Sequence, residues 1–151
     1  MNKILLVIFI FFISSVNADV FCPEPNLSDW PKQIDLQKHK CDNNLSPEEE
    51  SKLGRIDLKF DLNGDSICEY FVNVGGAGGG IEYHVYTKLK NELKNILMYF
   101  TWNINIRERK NGWYTLYSHD VSGDKAYHSL FAYSDNGYEI NQTKEYQCER
   151  P

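Results

Sequence analysis

The chain has 151 residues, of which 25% are charged and 14% aromatic, and its formal net charge at pH 7 is -5. An acidic chain argues against nucleic acid as a partner, because phosphates are bound by clustered Lys and Arg. The one short basic group, residues 107–110, is interrupted by Glu108. A surface of this charge instead suits a basic protein as partner, for example a basic enzyme.

The first eighteen residues have the layout of a secretory signal peptide. Lys3 precedes an apolar run over residues 4–13, and Val16 and Ala18 stand at the positions that a signal peptidase reads. The apolar run has about half of the roughly 20 residues that a spanning helix needs. We therefore predict cleavage after Ala18, no membrane span afterwards, and a periplasmic or secreted location.

All four cysteines lie in the exported part, at Cys22, Cys41, Cys68 and Cys148. An oxidising compartment would pair them, so we predict two disulfides. We favour Cys22 with Cys41, which closes a local loop, and Cys68 with Cys148, which ties the tail to the sheet. The spacings contain no close pair typical of a zinc site.

Residues 19–54 are polar and are predicted to be helical in pieces. Ser46 and Glu49 form a capping box with Pro47 at the first helical position, and Gly54 is a plausible stop, which predicts a helix over 47–53. A second helix is predicted between Trp30 and Lys40. Both are expected to pack on the sheet that follows.

Residues 55–151 are rich in aromatic and β-branched residues and punctuated by turns. Asn-Gly and Ser-Gly-Asp turns between short strands favour antiparallel neighbours. We therefore predict an α+β fold, with one disulfide-stapled antiparallel β-meander sheet and short N-terminal helices. The predicted strands lie at 56–61, 69–74, 81–88, 95–106, 113–119, 125–133 and 138–146.

The turn after the first predicted strand has oxygen donors at the spacing of a calcium loop. Side chains at loop positions 1, 3, 5 and 9 and the carbonyl of position 7 would be the ligands, because calcium takes six to eight oxygens. These residues are Asp61, Asn63, Asp65, Glu69 and Ile67.

With a strand on each side, this segment resembles the Asp-rich calcium loops of FG-GAP and integrin-propeller repeats, and small secreted bacterial β domains with a similar D-x-N-G-D-x-x-x-E segment. The resemblance covers residues 56–74 and implies bound calcium. The loop departs from an EF-hand, since Ser66 and Val72 stand where that pattern has Gly and Glu. The alternative is a turn whose acidic side chains cap backbone amides.

A glycine run follows one strand later, and its members are Gly75, Gly76, Gly78, Gly79 and Gly80. It lacks the Gly-Lys-Ser/Thr end of a phosphate-binding loop. One interpretation is a flexible hairpin tip. The other is a binding loop that approaches another backbone closely, as an inhibitor does in an enzyme cleft.

No arrangement of residues indicates catalysis. The four His residues are scattered, and the string from Ser118 to Asp120 is sequential, which says nothing about the geometry of a triad. We therefore predict a non-enzymatic protein-binding domain, such as an inhibitor or immunity protein that blocks an envelope enzyme. The alternative is a calcium-dependent ligand- or glycan-binding module with a pocket lined by Tyr83, Tyr86 or Trp102.

Overall fold

The computed structural model describes residue 22, residues 26–76 and residues 80–149. The predicted signal peptide lies outside these residues. The described part contains one α-helix and eight strands. In chain order they are α1 (Pro47–Leu53), β1 (Arg55–Phe60), β2 (Glu69–Gly75), β3 (Ile81–Leu89), β4 (Glu92–Thr101), β5 (Ile104–Lys110), β6 (Trp113–Ser122), β7 (Lys125–Ser134) and β8 (Gly137–Gln147).

The strands form two four-stranded sheets, β1-β2-β3-β4 and β5-β6-β7-β8, in which every neighbouring pair is antiparallel. The prediction of an antiparallel meander is therefore confirmed, and the prediction of a single sheet is wrong. Sequential hairpins explain the meander, since short turns leave each strand beside the previous one.

The sheets separate between β4 and β5, within the segment predicted as one strand over 95–106. The Thr101 hydroxyl donates to the Asn103 carbonyl over 2.9 Å and accepts from the Asn103 amide over 3.3 Å. The Trp102 amide donates to Asp120 Oδ1 over 3.2 Å. These side chains satisfy backbone groups that a continuous strand would pair, so the chain can change direction here.

The main core lies between the two sheets and takes side chains from all eight strands. Its fully buried members include Phe60, Phe71, Val85, Leu116 and Phe131. Successive strand residues point to opposite faces, so the apolar positions of each sheet face this layer. This core positions β4 and β8, which carry the surfaces described below.

The predicted helix over 47–53 is confirmed with its capping box: the Ser46 side chain accepts from the Glu49 amide, and Glu49 accepts from the Ser46 amide. Leu45 is buried and Leu53 packs beside it on the outer side of the first sheet, against Tyr70 and Val72. The N-terminal segment thus covers part of that outer face.

The prediction of a helix from Trp30 to Lys40 is wrong, since only a short 3₁₀ turn, Leu36–Lys38, forms there. Residues 32–34 lie extended along β5, where the Glu108 amide donates to the Lys32 carbonyl over 2.8 Å. Pairing with a strand edge satisfies this backbone without a helix.

Two disulfides are present, as predicted, but the favoured pairing is wrong: Cys22 pairs with Cys148, and Cys41 with Cys68. A backbone bridge explains the second bond, because the Cys68 amide donates to the Asp42 carbonyl over 3.1 Å. This contact between distant segments is invisible in the cysteine spacing.

Candidate functional site

The loop between β1 and β2 is closed by its own side chains. Asp61 accepts hydrogen bonds from the backbone amides of Gly64 and Ser66, and Asp65 accepts one from the Ile67 amide over 2.8 Å. The Asn63 side chain accepts from the Asp65 amide over 2.9 Å. The carboxylates therefore act as caps of the turn, which is the role expected of Asp and Asn in such loops.

Glu69 differs from the other acidic residues of this loop because it is buried. Its carboxylate accepts from the Leu62 amide over 2.6 Å and from the Thr87 hydroxyl over 3.0 Å. Burial, together with the negative charges of Asp65 and Asp61, raises the pKa of Glu69 to about 7 against the lowering effect of these hydrogen bonds. Near neutral pH this carboxyl is partly protonated.

A cation from another strand already lies at this loop. The Arg109 guanidinium lies so close to Gly64 that a Cβ at that glycine would be 2.4 Å from both terminal nitrogens. The same guanidinium lies 4.5 Å from the centre of the Tyr114 ring. The loop is thus packed against β5 and β6 by a residue that the sequence pattern does not single out.

The oxygen donors of this loop are of the type that calcium prefers. Within the described part of the chain, however, no group of three or more His, Cys, Asp or Glu residues is arranged to hold a metal ion. The donor chemistry fits calcium and the described carboxylates do not display a metal cluster, so calcium stays a proposal and no step of the protein-binding function proposed below depends on it.

The glycine run lies at the other end of β2. Gly75 has a φ of +104°, and a Cβ at Gly80 would lie 2.3 Å from the Phe100 ring. Gly78 and Gly79 lie outside the described residues. Gly76 and Gly80 are also close, since a Cβ at Gly76 would meet the Gly80 carbonyl. The described glycines thus allow close approach of backbone to backbone and to an aromatic ring.

Beside these glycines lies an exposed apolar surface, which we call the β4 patch: Met98, Phe100 and Trp102. The exposed fractions of these residues are 66%, 52% and 54%. Met98 and Phe100 are on alternate positions of β4 and share one face of the strand. Exposed neighbours of this size mark binding surfaces more often than isolated apolar residues do.

Next to the β4 patch, and sharing Phe100 and Trp102 with it, a groove of about 510 Å³ lies between β4 and β8. We call it the seam groove, because it lies between the edge strands of the two sheets. The strands approach closely at one end, where a Cβ at Gly137 would lie 2.6 Å from the Ile96 carbonyl oxygen. Its lining is Tyr99, Phe100, Trp102, Asp120, Val121, Ser122, Tyr127, Ser129, Ile140 and Thr143.

The floor of the seam groove is polar although it continues the core-facing side of the second sheet. Along β7, Phe131 is in the core, and Ser129, two residues earlier on the same face, bonds the Thr143 hydroxyl over 3.2 Å. Asp120 accepts from the Trp102 amide over 3.2 Å and lies 3.5 Å from the Tyr99 hydroxyl. This change from apolar to hydroxyl residues at alternate positions is the sequence signal that could have revealed the groove. Sequence analysis did not use it, and the groove was missed.

The predicted site residues fall in separate places. The acidic loop and the glycine run are at opposite ends of β2, and only Trp102 of the three predicted aromatic pocket residues lines the seam groove. In the string from Ser118 to Asp120, the Ser118 hydroxyl donates to Asp120 Oδ2, and His119 lies on the opposite strand face. These three residues do not form a triad.

Comparison with known proteins identifies no relative: no family model matches the chain, and no curated protein or solved structure is similar to it. Within the described residues, no helix has the length and apolar character needed to cross a membrane.

Proposed function

We propose that this protein is an exported, non-enzymatic domain that binds another protein through the β4 patch and the adjacent glycine loop. The observation that carries the proposal is the β4 patch itself, three large apolar side chains more than half exposed on one strand and the turn after it. Aromatic residues of this kind dominate the energetics of protein interfaces.

The glycine loop extends the same surface. Since Gly80 lies directly against the Phe100 ring, the described ends of the loop adjoin the patch. Glycines at the described ends of the loop leave backbone amides and carbonyls open to a partner, because they have no side chain. The patch would provide apolar anchors, and the loop would provide hydrogen-bonding groups beside them.

The signs of export and the acidic charge both favour a basic protein of the cell envelope as the partner. Both disulfides are typical of proteins from oxidising compartments, which supports a periplasmic or secreted location. The net charge of -5 favours a basic partner, and an inhibited envelope enzyme would fit this description.

A pull-down from envelope extracts of the source organism tests this proposal, with the disulfide-bonded protein as bait. The variant combining Met98→Ser, Phe100→Ser and Trp102→Ser should bind the captured partner at least about tenfold more weakly. Leu89→Ser is a matched control, because Leu89 is 46% exposed at the opposite end of β3. Equal retention by both variants would exclude the β4 patch as the interface.

A glycan-binding module is the second candidate, and the seam groove favours it. Trp102 could stack on a sugar ring, while Ser129 and Thr143 offer hydroxyls on the groove floor. Retention of the protein on a glycan array, lost in Trp102→Ala and kept in Leu89→Ser, would support this function over protein binding.

Calcium at the acidic loop remains a separate proposal, supported by the donor spacing and by the resemblance of residues 56–74. Calorimetric titration of chelator-stripped protein tests it. We expect heat of binding and a raised melting temperature, both lost in Asp61→Ala and Asp65→Ala. A wild-type protein without either response has a structural turn at this position.

A further inference from the structure

We infer that the partner inserts an extended peptide segment into the seam groove, where it adds as a strand between β4 and β8. This inference rests on the proposed protein-binding function and states how the partner binds. It requires free strand edges, room between them and a lining that suits a peptide.

The two strands that border the groove are the edges of their sheets. Among the described residues, β4 pairs only with β3, and β8 only with β7. Each therefore carries a row of backbone amides and carbonyls on its outer side that can pair with a further strand. The edge at β5 is different, since residues 32–34 cover it.

The direction of the two edges suits one inserted strand. The strands meet where Ile96 approaches Gly137, and both then run into the groove, β4 through Phe100 and β8 through Thr143. Because they run the same way from the meeting point, a peptide in the opposite direction would be antiparallel to both. Strand addition of this kind gives affinity through main-chain bonds and specificity through side-chain pockets.

The lining selects the chemistry of the peptide. Asp120 is the one charged residue that lines the groove, and no Lys or Arg lies there. Within the described residues, Asp120 has neutral donors, Trp102, Ser118 and Tyr99, and forms no salt bridge. A Lys or Arg of the peptide would complement this carboxylate, and apolar residues would pack on Phe100 and Ile140.

Selection from a displayed library of linear peptides of about seven residues, the length of an ordinary strand, tests the inference. The disulfide-bonded protein is the bait, and the selected peptides are then made synthetically. We expect peptides that contain Lys or Arg among apolar residues. Asp120→Asn should weaken their binding, whereas Asp135→Asn, in the exposed β7–β8 turn, should not.

Hydrogen exchange reports the main-chain pairing directly. In the complex with a selected peptide, outward amides in residues 99–101 and 140–143 should exchange at least about tenfold more slowly. Docking through side chains alone would leave the exchange of both edges unchanged, and that result overturns strand addition.

Two proline variants of β8 provide a matched pair, Gln142→Pro and Thr143→Pro. Gln142 and Thr143 are consecutive partners of Leu130 and Ser129, so one amide points to β7 and the other to the groove. The variant that keeps the wild-type melting temperature has lost only the outward donor. We expect that variant to bind the peptide at least about tenfold more weakly.

Binding unaffected in the stable proline variant overturns the inference, as does a selection that yields no linear peptide. Neither result decides the proposed function, because Gln142 and Thr143 are outside the β4 patch. Loss of the captured partner in the patch variant together with normal binding in the stable proline variant would indicate protein binding without strand addition.

Discussion

His119 and His128 lie face to face on neighbouring strands, with ring centres 4.4 Å apart and planes inclined by 9°. His128 is buried, and its Nδ1 lies 2.7 Å from the Tyr117 hydroxyl. Burial lowers the pKa of His128 to about 4, and the positive charge of a protonated His119 lowers it as well, against the opposing effect of Asp120. The pair thus requires a neutral His128 in the folded protein.

The first prediction is that the contribution of His128 to stability falls in mild acid. Unfolded His128 takes a proton near pH 6.5, and folded His128 takes one only near pH 4. Between these values unfolded His128 holds more protons than folded His128, so its contribution to the free energy of unfolding falls as the pH is lowered from 6.5 towards 4. Urea unfolding at pH 7 and pH 5 should show that the wild type loses on the order of 1 to 2 kcal/mol relative to a variant without this histidine.

The variant His128→Phe keeps an aromatic ring in the stack and removes the titration. The free energy of unfolding of the wild type relative to this variant should fall between pH 7 and pH 5, since the opposing effect of Glu69 is present in both proteins. The same pH dependence in both proteins would contradict the lowered pKa of His128.

Glu69 should have the opposite pH dependence. Its pKa is raised from 4.5 to about 7, so the folded state holds the extra proton, and stability falls as pH rises across that window. Glu69→Gln removes this titration. The free energy of unfolding of the wild type should therefore fall relative to that of the variant by on the order of 2 kcal/mol between pH 5 and pH 8. Thermal unfolding in a chelating buffer measures this difference; a constant difference between the two proteins would contradict the raised pKa.

Gly64 and Gly112 provide a matched test of the Arg109 contact. Their φ angles are nearly equal, +85° and +87°, but a Cβ at Gly64 meets the guanidinium, whereas nothing lies within 4 Å of one at Gly112. Both alanine variants should lose about 1 kcal/mol from backbone strain, with a larger loss for Gly64→Ala. Arg109→Ala should reduce the difference between the two variants in urea unfolding.

The disulfide pairing can be read from non-reduced proteolytic fragments. Mass spectrometry should find the Cys22 fragment joined to that of Cys148, and the Cys41 fragment joined to that of Cys68. Removal of either bond, with both cysteines replaced by Ala, should cost about 2 to 4 kcal/mol. A fragment joining Cys22 to Cys41 would contradict the structure.

Local features explain why most strands and α1 were predictable. The Ser46 capping box involves residues three apart, and the turn at Asn111 and Gly112, with φ angles of +56° and +87°, needs residues that tolerate that conformation. Such preferences depend on only a few adjacent residues. The acidic loop was likewise recognised as a turn from its Asp and Asn residues, although the burial of Glu69 was not.

The sequence by itself determined the alternation of strands and turns, the position of α1 and the presence of cysteines able to pair, because each depends on neighbouring residues. Only the tertiary structure decided the separation at Trp102, the cysteine pairing and the seam groove between β4 and β8. Each of these depends on contacts between distant segments, such as that of Trp102 with Asp120 and of Ile96 with Gly137. Such contacts depend on how the two sheets pack, and no local pattern of residues records that packing.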